Sequence, residues 1–185
     1  CFAYREWARE HGTPDVINGP DSSMSALLEE FSQRHPSQPI CAKKLLSYEL
    51  TEVIMPSEKP AGRMRLAEAA DEDLLVEWGM RFNIECELPE ADSPDPSGDE
   101  RRRVQRVIER RARMIWEVDG TPVSMAGVTR VSRFGSTVAA VYTPDAQRGN
   151  GYASQLVAEL SSHLMSQGAP RCMLFTDARN PVSNA

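Results

Sequence analysis

Val138-Ala139-Ala140-Val141-Tyr142-Thr143-Pro144, then Arg148-Gly149-Asn150-Gly151-Tyr152-Ala153 and an amphipathic run to Gln167, decide how this chain is read. A short apolar strand enters a glycine-bearing turn, and the turn opens a helix whose first N–H groups have no intrahelical carbonyl to bond. Converging amides at the positive end of a helix make an anion cradle. Gly149 and Gly151 let the backbone approach an oxygen without a Cβ in the way, and Arg148 can add charge at the same place. Leu156, Val157, Leu160 and Leu164 repeat at helical spacing and mark a buried stripe, with His163 beside it as a packed or solvated residue. A plain tight turn has the same local sequence, but the strand before and the helix after favour the cradle.

Arg148-Gly149-Asn150-Gly151-Tyr152-Ala153 matches every fixed position of the pattern Gln/Arg-x-x-Gly-x-Gly/Ala, and in this it resembles the GNAT superfamily of N-acetyltransferases. The next strand, Cys172 to Asp177, and the segment Asn180-Pro181-Val182-Ser183-Asn184-Ala185 follow that family in order and spacing. The resemblance runs from about Arg63 to the end. It implies an α/β fold with a mixed sheet, whose last helix and strands are absent from this chain. It also implies that Arg148, Gly149, Asn150, Gly151, Tyr152 and Ala153 hold the pyrophosphate of acetyl-CoA. Val141, Tyr142 and Thr143 would lie along the pantetheine arm, with a free N–H at Val141 or Tyr142 meeting the thioester oxygen. Asn180 and Asn184 match positions that lie against CoA, although Asn180 equally suits a helix N-cap. The tyrosine that often protonates the leaving thiolate in the family would fall just past Ala185.

Working outward, Arg63 to Ala67 suits a strand and Asp71 to Phe82 a helix, with Leu74, Leu75, Trp78 and Phe82 as its buried stripe. Pro89 to Gly98 reads as a flexible loop, and a second helix over Asp99 to Arg111 buries Val104, Val107 and Ile108. Strands follow at Met114 to Val118, Val123 to Arg130 and Thr137 to Tyr142, separated by Asp119-Gly120 and Phe134-Gly135. Pro56 to Gly62 reads as a linker, so the domain expected is 63–185, preceded by a partial α/β segment over 1–55. That segment contains expected helices over Phe2 to His11 and Ser23 to His35, the latter N-capped by Asp21 or Ser22, and a strand over Lys44 to Ile54. It looks like the tail of a degenerate GNAT-like domain, as in tandem members of the superfamily.

The chain has 185 residues and a net charge of −6, from 21 basic and 27 acidic residues, which argues against a general nucleic-acid binder. No apolar run approaches the roughly 20 residues that span a bilayer, and no signal peptide is visible, so a soluble cytoplasmic protein is expected. Cys1, Cys41, Cys86 and Cys172 are scattered without metal-ligand spacing, which suggests free thiols and no metal site.

The function expected is transfer of the acetyl group of acetyl-CoA to an amine by direct attack in a ternary complex. No Cys or Ser stands in a recognisable nucleophile arrangement with a base. Glu117, Tyr142 and Asp177 are the candidate bases; Glu85 and Glu87 could attract a cationic acceptor. The arginines Arg101, Arg102, Arg103, Arg106, Arg110, Arg111 and Arg113 form either a solvated helix face or a patch for an acidic acceptor or the CoA 3′-phosphate. The alternatives are a non-catalytic CoA-binding regulatory module and a transferase for another acyl-CoA. The sequence leaves the acceptor, the acyl preference and any homo-oligomer open.

Overall fold

The computed structural model describes residues 19–33, 43–181 and 184. The expected helix over Phe2 to His11 lies outside them. Two compact units divide between Lys44 and Leu45, ahead of the linker position expected at 56–62.

In the first unit, α1 spans Asp21–Ser32 and opens after Pro20. Asp21 is the first helical residue rather than the cap, and Met24, Leu27, Leu28 and Phe31 are half-buried along one face.

The second unit is a six-stranded sheet in the order β1-β6-β5-β4-β3-β2. Its strands are β1 (Leu45–Leu50), β2 (Arg63–Leu66), β3 (Arg113–Val118), β4 (Thr121–Ser132), β5 (Gly135–Tyr142) and β6 (Cys172–Asp177). The middle strands are antiparallel neighbours joined by short turns, whereas β5 and β6 run parallel and need the crossover helix α4 (Tyr152–Ser166) between them. The strand expected in the N-terminal segment is β1, and it belongs to this sheet: Leu45 to Leu50 pair antiparallel with Asp177 to Cys172.

Helices cover both faces because successive side chains of each strand point to opposite sides. Ile115, Met125 and Tyr142 pack against Leu75, Val76 and Trp78 of α2 (Glu72–Glu85) and Val104 of α3 (Pro96–Glu109). Met114, Trp116, Val123, Ala126 and Val138 pack on the other face against Leu156 and Leu160 of α4. The helix α3 starts three residues earlier than its sequence suggests, since Pro96 suits the first helical position and Asp95 accepts the Gly98 N–H at 3.0 Å. Residues 89–92, read as loop, form a single helical turn.

Among the described residues no helix is long and apolar enough to cross a membrane, and no cluster of three metal-ligating side chains occurs. Cys172 is a buried free thiol at the start of β6.

Candidate active site

The site is built where β5 leaves β6. The parallel pair extends over Ser136 with Cys172 and Thr137 with Met173 only, so from Val138 onward β5 loses its neighbour on that side. Here β5 also bulges. Met125 pairs with Tyr142 and Gly127 with Ala139, which sets Ala140 and Val141 together opposite Ala126. Ala140 takes a left-handed backbone, φ +50°, an uncommon conformation for a residue with a Cβ. A bulge of this kind bends the strand and redirects its peptide groups. The bulge had no visible signal in the sequence.

The loop that follows lies at the mouth of this gap. Gly149 and Gly151 have φ +79° and +76°, and a Cβ built on either meets no atom within 4 Å. The space in front of the turn is therefore open to a ligand. Gly151 is the N-cap of α4, no side chain caps that end, and no acidic residue occupies its first turn. The amides of Tyr152 and Ala153 thus carry the positive end of a 15-residue helix without an internal anion. Asn150 closes the loop on itself, its Nδ2 donating to the carbonyls of Gln147 at 3.0 Å and Arg148 at 3.3 Å.

Arg148 is braced. Its Nε donates to the Thr143 carbonyl at 2.9 Å, one terminal nitrogen reaches both Glu85 oxygens at 2.9 and 2.7 Å, and the other lies 2.9 Å from Asp145. The guanidinium also sits 5.9 Å over the Tyr142 ring. It joins the end of β5 to the C-terminal end of α2. Glu85 is therefore engaged with Arg148, and Glu87 pairs with Arg179 at 2.9 Å.

The three candidate bases are far from equivalent. Tyr142 is buried at the end of β5, its ring 6.1 Å from that of Trp78. Burial first and the charge of Glu85 second push its phenol above the ordinary value, so near neutral pH it is a donor rather than a base. Glu117 lies on β3, separated from β5 by β4, in a network with Arg65, Arg63 and, through Arg65, Asp71. The Arg65 and Arg63 guanidiniums hold its carboxyl below the usual carboxylate range. That carboxylate braces β2 against β3 and stands away from the gap. Asp177 ends β6 and bonds Arg179 through its side chain at 2.9 Å. Its carbonyl accepts from the Asn180 N–H at 3.0 Å and from the Asn184 amide at 2.9 Å. Asn184 also accepts from Tyr48 at 3.3 Å and from Thr176, so both asparagines gather around the end of β6.

The arginine run resolves into ion pairs. Arg101 meets Glu72 and Asp73, Arg102 meets Asp99, and Arg103 meets Glu90 and Glu100. Arg113 does not belong with them. It begins β3, is 6% exposed, and donates to the Ala140 carbonyl at 3.1 Å. Sequence reasoning grouped it with the helix by charge and missed its contact with the bulge.

The family model described as acetyltransferase (GNAT) family matches residues 77–185. A search of curated proteins finds no match. Among solved structures, a GNAT-family acetyltransferase from Colwellia psychrerythraea superposes with a TM-score of 0.57 at 13% identity, covering 77% of this chain and 49% of that one. An N-acetyltransferase from Staphylococcus aureus gives 0.53 at 16% identity over 66% of this chain and 78% of its own. A predicted acetyltransferase from Clostridium acetobutylicum, solved with acetyl-CoA, gives 0.51 at 18% identity over 65% and 84%. These likenesses show a shared fold. The chain spans about half the length of the Colwellia protein.

Proposed function

The chain belongs to the acetyltransferase (GNAT) family, and we propose that it moves the acetyl group of acetyl-CoA to an amine by direct attack in a ternary complex. The observation that carries this reading is the release of β5 from β6 beyond Thr137, beside an uncapped α4 N-terminus. An extended pantetheine arm would take the vacated side of β5 as an added strand. Its pyrophosphate would reach the amides from Gly149 to Ala153. The Clostridium structure, with its bound acetyl-CoA, supports a CoA thioester as the occupant.

In the reaction the amine nitrogen forms a bond to the acetyl carbon, the C–S bond breaks, the nitrogen loses a proton and the thiolate gains one. A backbone N–H at Val141 or Tyr142 would stabilise the oxyanion, a contribution of roughly 3–4 kcal/mol in other enzymes. The raised phenol of Tyr142 stays protonated near neutral pH, so it can donate a hydrogen bond but is a poor source of a proton for the thiolate. Glu117 and Asp177 remain weaker candidates for the base, since each is held by arginine.

Those engaged carboxylates favour one second reading, a module that binds acetyl-CoA without turnover. Thiol release from acetyl-CoA, measured against a panel of small amines, polyamines, amino acids and peptide N-termini, separates the two. Release that depends on an amine and is lost in Gly151→Trp is the expected result. Acetyl-CoA binding with no release across the panel would refute the transferase reading and favour the binding module.

A further inference from the structure

Arg113 is buried at the start of β3, and among the described residues no carboxylate forms an ion pair with it. The acidic group acting on it is Glu100 of α3, itself 4% exposed and bonded to Asn83 at 3.1 Å and to Arg103 at 3.3 Å. Burial pulls the Arg113 guanidinium down to about 10, the charge of Glu100 acting against that fall and Arg103 adding to it. Its Nε–H is buried without an acceptor among the described residues. An apolar side chain of similar length would be cheaper to bury here, so the contribution of the guanidinium is directional.

The direction is set by a row of small residues. Arg113 pairs with Gly127 on β4, and Gly127 pairs with Ala139 on β5. A Cβ at Gly127 would lie 3.1 Å from the guanidinium carbon, so glycine is what lets the side chain lie across the strand. The guanidinium then reaches Ala140, the left-handed residue of the bulge, and bonds its carbonyl at 3.1 Å. In a planar trans peptide the N–H points opposite to the C=O. An Ala140 carbonyl drawn toward β3 therefore turns the Val141 N–H toward the side of β5 that has no β6 partner.

We propose that Arg113 is a positioning residue: by holding the Ala140 carbonyl it fixes the Ala140–Val141 peptide plane and aims the Val141 N–H at the thioester oxygen of the acyl donor. This rests on the transferase reading above. Without Arg113, the unfavourable backbone of Ala140 loses what holds it, and the donor is free to turn away.

The test compares wild type with Arg113→Met, Arg113→Lys and Gly127→Ala. Two readouts are used: amide hydrogen exchange over residues 138–143 in the free protein, and kcat against KM for acetyl-CoA. In a cooperatively melting Arg113→Met, exchange in 138–143 should rise about tenfold while residues 152–166 stay protected. Its kcat should fall roughly a hundredfold, as when an oxyanion donor is removed, with KM within about threefold. Arg113→Lys should recover part of kcat. Gly127→Ala keeps the arginine but crowds it, so it should show the same split more weakly, and it decides the matter if Arg113→Met fails to fold. Unchanged exchange and a kcat within about twofold in folded variants would overturn the proposal. Exchange in the free protein needs no turnover, so a wild type that releases no CoA refutes the transferase reading while the exchange comparison still decides the role of Arg113.

Discussion

Gly151→Ala separates the cost of a backbone conformation from the loss of a binding surface. Gly151 has φ +76°, where an L-residue is disfavoured by about 1–2 kcal/mol. A Cβ there meets no protein atom within 4 Å, so no steric term is added in the free protein. For a domain of this size about 1 kcal/mol corresponds to roughly 2–4 °C in Tm, and a fall of about 2–8 °C is expected. The methyl group projects into the open space proposed for the pyrophosphate. Displacing even one charge-assisted hydrogen bond there, about 1.5–3 kcal/mol, would weaken acetyl-CoA binding roughly 10- to 150-fold. Gly120 is the control: it has φ +79° and an equally open Cβ position, but it lies in the β3–β4 turn. Gly120→Ala should lower Tm similarly and leave acetyl-CoA affinity unchanged. Calorimetric titration of acetyl-CoA and thermal melts on the three proteins measure both quantities. If Gly151→Ala binds acetyl-CoA within twofold of wild type while losing the expected stability, the loop does not hold the phosphates and the cradle argument fails.

Two further outcomes concern the scaffold. Leu160 is fully buried under the sheet, so Leu160→Ala should cost about 3–5 kcal/mol in urea unfolding, whereas Leu164→Ala, half-buried on the same stripe, should cost distinctly less; equal losses would contradict the packing described. Asp71 is bonded bidentately by Arg65 at 2.7 and 2.8 Å, and the Arg65 guanidinium holds both Asp71 and Glu117 below their ordinary values. Depressed carboxylates contribute stability that is fully present above their unfolded values, about 4, and is lost as pH falls toward the folded ones. Melts should therefore be level between about pH 5 and 7 and decline below about 4. Asp71→Asn should lose about 1.5–3 kcal/mol at neutral pH and show a shallower acid decline, and an unaltered decline would count against this network.

The sequence by itself determined most of the elements and the glycine loop that opens α4, because their causes are local. The apolar spacing of helix α4, the helix ends and the glycines of Gly149-Asn150-Gly151 are written within a few residues of where they act. So are the three hairpin-linked strands, whose boundaries at Asp119-Gly120 and Phe134-Gly135 fall within two residues of the observed turns. Tertiary structure decided what depends on partners far along the chain. Leu45 to Leu50 alternates as any edge strand does, and nothing in it names Cys172 to Asp177 as its neighbour. Arg113 reads as one more charge after an arginine-rich helix until the β3–β4–β5 register lays it across Gly127 toward Ala140. Glu117 reads as a free carboxylate until β2 brings Arg65 and Arg63 beside it. The bulge itself is a mismatch in the lengths of two paired strands, and such a mismatch exists only once the strands have paired.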